Sequence, residues 1–141
     1  MRYDPWRDAG ERHADVVIRR TNCLPARGAW LEGPRVILIE RSLHRPERNS
    51  VLAHEIAHVD LGHRVTGRRW FDRRQERDAD NLAALRLVDL ERLADALRWA
   101  LCPEEVAHEL EVTVDVVRRR IRSLTDEEKA RIEQLLERKA S

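Results

Sequence analysis

"HEIAHVDLGHR", residues 54–64, places three histidines, one glutamate and one aspartate within a short stretch. Its first five letters are the HExxH spelling of a zinc hydrolase. On an α-helix, residues i and i+4 lie about 40° apart around the axis and about 6 Å along it. The imidazoles of His54 and His58 can therefore converge on one ion. Glu55 sits one step round, placed to take a proton from a water that the metal activates. A helix whose histidines only pack would read the same over five letters. The flanking Ala53, Ile56, Ala57 and Val59 argue instead for a half-buried metal site.

A catalytic zinc normally takes three protein ligands and keeps a further position open, so the motif needs a third donor. His63 is one candidate, but the three-histidine spelling HExxHxxGxxH puts its last histidine six residues after the second, and here the gap is five. On a continued helix His63 would also point about 180° away from His54. "ERDAD", residues 76–80, offers another: Glu76 and Asp80 share one helical face, and Ala79 and Ala83 are small enough to let a second helix approach closely. Glu76 can bind the metal while Asp80 accepts a hydrogen bond from a ligand histidine. The alternative for this pair is a solvated charged face in an arginine-rich stretch.

Outward from the motif, the chain before it reads as β and the chain after it as helix. "DVVIRR" (residues 15–20) is a strand; "AWLEG" and "RVILIE" flank Gly33-Pro34 and predict an antiparallel hairpin. Residues 36–39, all apolar, predict a strand covered on both faces. A helical turn is expected around residues 6–14. From Pro46 a helix carries the motif to a stop at Gly62, and "RVTGRRWFDRR" reads as a basic loop. Residues 75–101 are helical with a break at Asp89, Pro103 opens the next helix, and "TDEEKARIEQLLERKAS" begins with an N-cap and an acidic first turn. Strands first and helices after predict an α+β fold. We expect a metal-binding core over residues 1–90 and a helical unit over 91–141.

Composition narrows the function classes. At 141 residues the chain can bury a real core without disulfides or an obligatory metal. Charged residues make up 38 %, yet the formal net charge is +1, which argues against a general polyanion binder. Cys23 and Cys102 form no CxxC pair and fit a reducing compartment. With no apolar N-terminal stretch and no run of the roughly 18 apolar residues of a membrane span, a cytoplasmic location is expected. In the tail, Ala107, Leu110, Val112, Val117 and Ile121 are spaced as in a helix-turn-helix, with "VRRRIR" as a recognition helix. Against it, Glu111 holds the turn position where glycine is preferred, and residues 103–141 carry ten acids against eight bases. A helical cap with solvated or paired arginines is favoured over DNA binding. Trp6, Trp30, Trp70 and Trp99 are expected to pack, and His13, His44 and His108 to lie at the surface.

"VLAHEIAHVDLGHR" (51–64) followed by "ERDADNLAALRLV" (76–88) resembles the ImmA/IrrE family of small metallopeptidases, and "GAWLEGPRVILIE" (28–40) sits where that family has its sheet. The resemblance implies a zincin-like fold, with a small antiparallel sheet packed on the HExxH helix and a second ligand helix. It implies zinc held by His54, His58 and Glu76, with Glu55 as general base. It also implies a protein substrate, a helix-turn-helix transcriptional repressor of the kind that phage and mobile-element antirepressors cleave. The alternative is a non-catalytic regulator that keeps the metal for stability and binds DNA or a partner.

Overall fold

The computed structural model describes residues 2–140 and the side chains of residues 2–138. Asp4 caps the first helix, α1 (Pro5–Arg12), by accepting the Trp6 and Arg7 amides. Three strands follow: β1 (Val17–Thr21), β2 (Gly28–Leu31) and β3 (Val36–Glu40). The expected hairpin forms, with Leu31 opposite Val36 and Gly28 opposite Ile39. The sheet as a whole is mixed, not antiparallel. Its order is β1-β3-β2, and β1 runs parallel to β3, Val17 beside Val36. Residues 22–27 carry the chain across the sheet to its far edge, so β2 folds back on β3 and β1 is left on the other side.

Ile37 and Ile39 are buried and pack with Leu52 and Ile56 of the motif helix, α2 (Arg45–Leu61). Val36 and Leu38 are only half-buried, so β3 is not covered on both faces as its composition suggested. α2 ends where expected, at Gly62 in the left-handed conformation (φ 66°), whose amide reaches back to the carbonyls of His58 and Val59.

α3 (Arg69–Leu87) begins six residues earlier than the sequence reading placed it. The turn that frees it is local: Gly67 takes φ 74°, and Asp72 accepts hydrogen bonds from the Thr66 amide and hydroxyl at 2.9 and 2.8 Å. Gln75 clamps the loop from the same helix, accepting from the Arg64 amide at 2.8 Å and donating to its carbonyl at 2.7 Å. "RRWFDRR" is therefore mostly helix, and Trp70 is exposed, as is Trp99, so neither is a packing residue.

The remaining helices are α4 (Leu90–Leu97), α5 (Pro103–Leu110), α6 (Val114–Arg122) and α7 (Asp126–Ala140). Thr125 and Glu128 form a reciprocal capping box on α7, each side chain taking the other's amide at 3.1 Å. A second hydrophobic cluster runs from Ala53 and Ala83 through Leu93, Val106 and Val117 to Ile132. α5 and α6 meet at Glu111, which takes the left-handed conformation (φ 56°) that a glycine would otherwise supply. Arg120 is the surprise of α6. It is 3 % exposed, donates to the Val88 carbonyl at 3.1 Å and pairs with Glu128 at 2.6 Å. No helix among the described residues is long and apolar enough to cross a membrane.

Candidate metal centre

α2 brings the two motif histidines together as the i, i+4 spacing requires: His54 Nε2 and His58 Nε2 are 3.0 Å apart. α3 packs against α2 through alanines, with Ala53 and Ala57 on one helix and Ala79 and Ala83 on the other all buried. That close approach carries Glu76 to both imidazoles. Its Oε2 lies 3.0 Å from His54 Nε2 and its Oε1 lies 3.1 Å from His58 Nε2. Three ligand atoms of the right kinds thus meet in one place. Bonds of about 2.0–2.1 Å in a tetrahedron imply donor separations of about 3.3 Å, and the observed spacings are close to that. The donor set fits a divalent transition metal of zinc's preferences.

Each of the two imidazoles is braced from behind. His54 Nδ1–H donates to Asp80 Oδ1 at 2.8 Å, which leaves Nε2 turned to the cluster. His63 does not join the three. The helix stops at Gly62, the His63 amide bonds to the His58 carbonyl at 3.0 Å, and the His63 ring returns so that its Nδ1 lies 2.9 Å from His58 Nδ1. When His58 Nε2 offers its lone pair to a metal, Nδ1–H is the donor and His63 the acceptor. The sequence reading had His63 facing away. The glycine that ends the helix was the signal that it would turn back.

Sequence reasoning also missed Arg119. From α6 it reaches Asp80 Oδ2 at 3.5 Å and donates to Asn81 Oδ1 at 3.2 Å. Nothing local announced this, since the residues lie almost forty positions apart. His13, expected at the surface, contacts Asp60 at 2.7 Å, and that carboxylate also takes Arg12 and Arg86 at 2.9 and 2.7 Å. This group ties α1 and α3 to the C-terminal end of α2.

The electrostatics follow from burial and partners. Glu55 is 6 % exposed, and burial pushes its carboxyl above the usual range, with the neighbouring histidines opposing. Burial alone would lower His54, but its hydrogen bonds to Asp80 and Glu76 outweigh that and raise it to about 10. Hydrogen bonds from His54 and His58 hold Glu76 well below the usual carboxylate range. In the metal-free cluster His54 is thus protonated and Glu76 ionised, and a metal must displace that proton.

The profile of the IrrE N-terminal-like domain family, peptidase group M78, matches residues 12–122. The chain belongs to this family. Membership makes it a metallopeptidase of the IrrE/ImmA type, whose substrate is a protein. A search of the curated proteins gives no match.

In this M78 chain the His54–His58–Glu76 group lies between two cavities. One, of about 650 Å³, is lined by β2 and the turn after it, and by Glu55, His58, His63, Val65 and Glu76. The other, of about 640 Å³, is lined by Arg27, Gly28, His54, Glu55, Glu76, Asp80 and residues of α6. β2 is an edge strand that borders both. At Gly28 it packs tightly on α2: a Cβ there would stand 2.5 Å from Val51 Cγ1 and 3.4 Å from Glu55 Oε1. A larger residue would push the strand off the helix.

Proposed function

We propose that the chain is a cytoplasmic zinc endopeptidase that cleaves a specific regulatory protein, a helix-turn-helix repressor. The observation that carries this reading is the convergence of His54, His58 and Glu76 at 3.0–3.1 Å beside a buried Glu55, in a chain of a metallopeptidase family. When bound, zinc supplies Lewis-acid polarisation and lowers the pKa of water.

The residues do the rest. Glu55, raised by burial, is a stronger base than a solvated glutamate. It takes the proton of the attacking water and returns it to the leaving amine. The free edge of β2 pairs with an extended segment of the substrate, so main-chain hydrogen bonds hold the scissile bond between the two cavities. Asp80 and His63 keep the two imidazoles aimed. An extended segment is required because a helix satisfies its backbone groups internally and cannot pair with a sheet edge. A repressor is the substrate class that family resemblance favours.

Elemental analysis of the purified protein should find about one zinc per chain. Co-expression with the repressor encoded beside it should yield defined fragments. Glu55→Gln should retain the zinc and lose cleavage by at least about 10²-fold to 10⁴-fold. A protein that takes up no transition metal when zinc is supplied, or a Glu55→Gln variant that cleaves at the parent rate, would end this reading.

A further inference from the structure

An arginine-rich segment lies beside the cleft. Residues 64–77, RVTGRRWFDRRQER, hold six arginines against two acids in a chain whose total formal charge is +1. Both acids are occupied: Asp72 holds the Thr66 turn and Glu76 is in the metal cluster. All six arginines are exposed. Only Arg64 finds a carboxylate, Glu32, at 3.2 Å, and Arg74 lies over the Trp70 ring at 5.7 Å. Arg68, Arg69, Arg73 and Arg77 pair with no acid among the described residues. Unpaired cations held this close repel one another, which is a cost that an anionic partner relieves.

Apolar surface is interleaved with the charge. Val65 is 93 % exposed, Trp70 60 % and Phe71 45 %, and the two rings contact edge to face at 4.9 Å. Trp70, Arg74 and Arg77 fall on one helical stripe, at i, i+4 and i+7. The first ten residues of α3 bury none of their side chains fully. The segment is nonetheless fixed, because Gln75 and Asp72 clamp the preceding loop to it. It is a rigid surface with no partner inside the fold.

Its position selects the kind of partner. Arg64, Val65, Asp72, Gln75 and Glu76 line the same cavity as Glu55 and His58, so the surface continues into the cleft. A nucleic acid following that path would meet Glu32, Glu55, Asp72 and Glu76, and its phosphates would be repelled. A polypeptide can change character along its length, acidic over the arginines and apolar or neutral where it enters.

We propose that Arg64–Arg77 is the docking surface for an acidic, aromatic- or aliphatic-containing segment of the protein substrate, flanking the stretch that enters the cleft. This rests on the reading of the cleft as a peptide site. Docking outside the cleft gives selectivity to a peptidase whose edge-strand pairing is blind to side chains. Rim charges of this sort act chiefly through encounter and partner choice.

The test is made on full-length Glu55→Gln protein, panned against a random peptide library. Selected peptides should be enriched in Asp and Glu, and their binding should weaken as salt rises. Reversing Arg69, Arg73 and Arg74 to Glu should weaken them by about tenfold or more. Arg→Gln at the same three positions should give a smaller loss in the same direction. Reversing the exposed Arg19, Arg20 and Arg41 should leave binding unchanged, with circular dichroism confirming that every variant is folded. Selection without acidic enrichment, or equal loss in both reversed sets, overturns the proposal. A mixed-sequence DNA duplex that binds more tightly than the peptides, and is released by the same reversal, overturns it in favour of nucleic acid. Acidic peptides bound by this variant, when the parent chain takes up no metal and cleaves none of them, would uphold this surface while removing the peptidase reading.

Discussion

Removing Glu76 and removing His63 should have unequal effects on the metal, and the structure sets the size of the difference. Glu76 places its two oxygens 3.0 and 3.1 Å from the two Nε2 atoms, so Glu76→Ala leaves two imidazoles and deletes the only carboxylate among the three donors. Groups that merely brace a ligand are worth about 10-fold to 100-fold in metal affinity; a direct ligand should exceed the top of that range, or about 2.8 kcal/mol. Asp80, charged and 2.8 Å from His54 Nδ1, belongs within the bracing range. His63 belongs at its lower end, near tenfold. Its contact with His58 at 2.9 Å joins ring nitrogens and involves no carboxylate, and water can replace it in an open cavity. The assay is zinc competition against a chelator of known affinity, with Glu76→Ala, Asp80→Ala and His63→Ala run beside the parent chain. Thermal melts of the metal-free forms would separate lost ligation from lost folding. The expected order of zinc loss is Glu76→Ala, then Asp80→Ala, then His63→Ala. If His63→Ala releases the metal and Glu76→Ala retains it, the ligand assignment is wrong.

Two further outcomes probe α6. Arg119→Ala should weaken zinc retention by about threefold to tenfold, and combining it with Asp80→Ala should add little, because Arg119 reaches the cluster through that carboxylate; full additivity would show that Arg119 has no part in aiming His54. Arg120→Ala should cost about 1–3 kcal/mol in urea unfolding, since it leaves the Val88 carbonyl without its donor while the partly exposed Glu128 turns to water, and an unchanged midpoint together with loss of DNA affinity would make α6 a recognition helix.

What could be read from the letters and what could not divides along sequence distance. His54 and His58 are four residues apart, so one helical turn settles their relation before any tertiary structure exists. Glu76 and Asp80 repeat that spacing, and the alanines at 79 and 83 declare a face that must approach something. The meeting of the two helices could be argued because small residues stand on both sides of the contact, at Ala53 and Ala57 as well. The hairpin was legible for the same reason, as Gly33-Pro34 lies between its strands. β1 was a different problem. Its parallel pairing with β3 spans a crossover, and no local residue distinguishes that from an antiparallel neighbour. The start of α3 was misplaced because five arginines and a glycine resemble a loop in composition, while the Thr66–Asp72 turn that begins the helix depends on two particular side chains meeting. Arg119 shows the limit most clearly. An arginine on an amphipathic helix can face solvent, DNA or a carboxylate, and only the packing of α6 on α3 turns it toward Asp80. The arginine run that resembles a DNA-reading helix is divided by that packing. Arg120 goes inward to Val88 and Glu128, Arg119 goes to Asp80 behind the candidate metal ligand His54, and Arg118 stays at the surface beside Glu104.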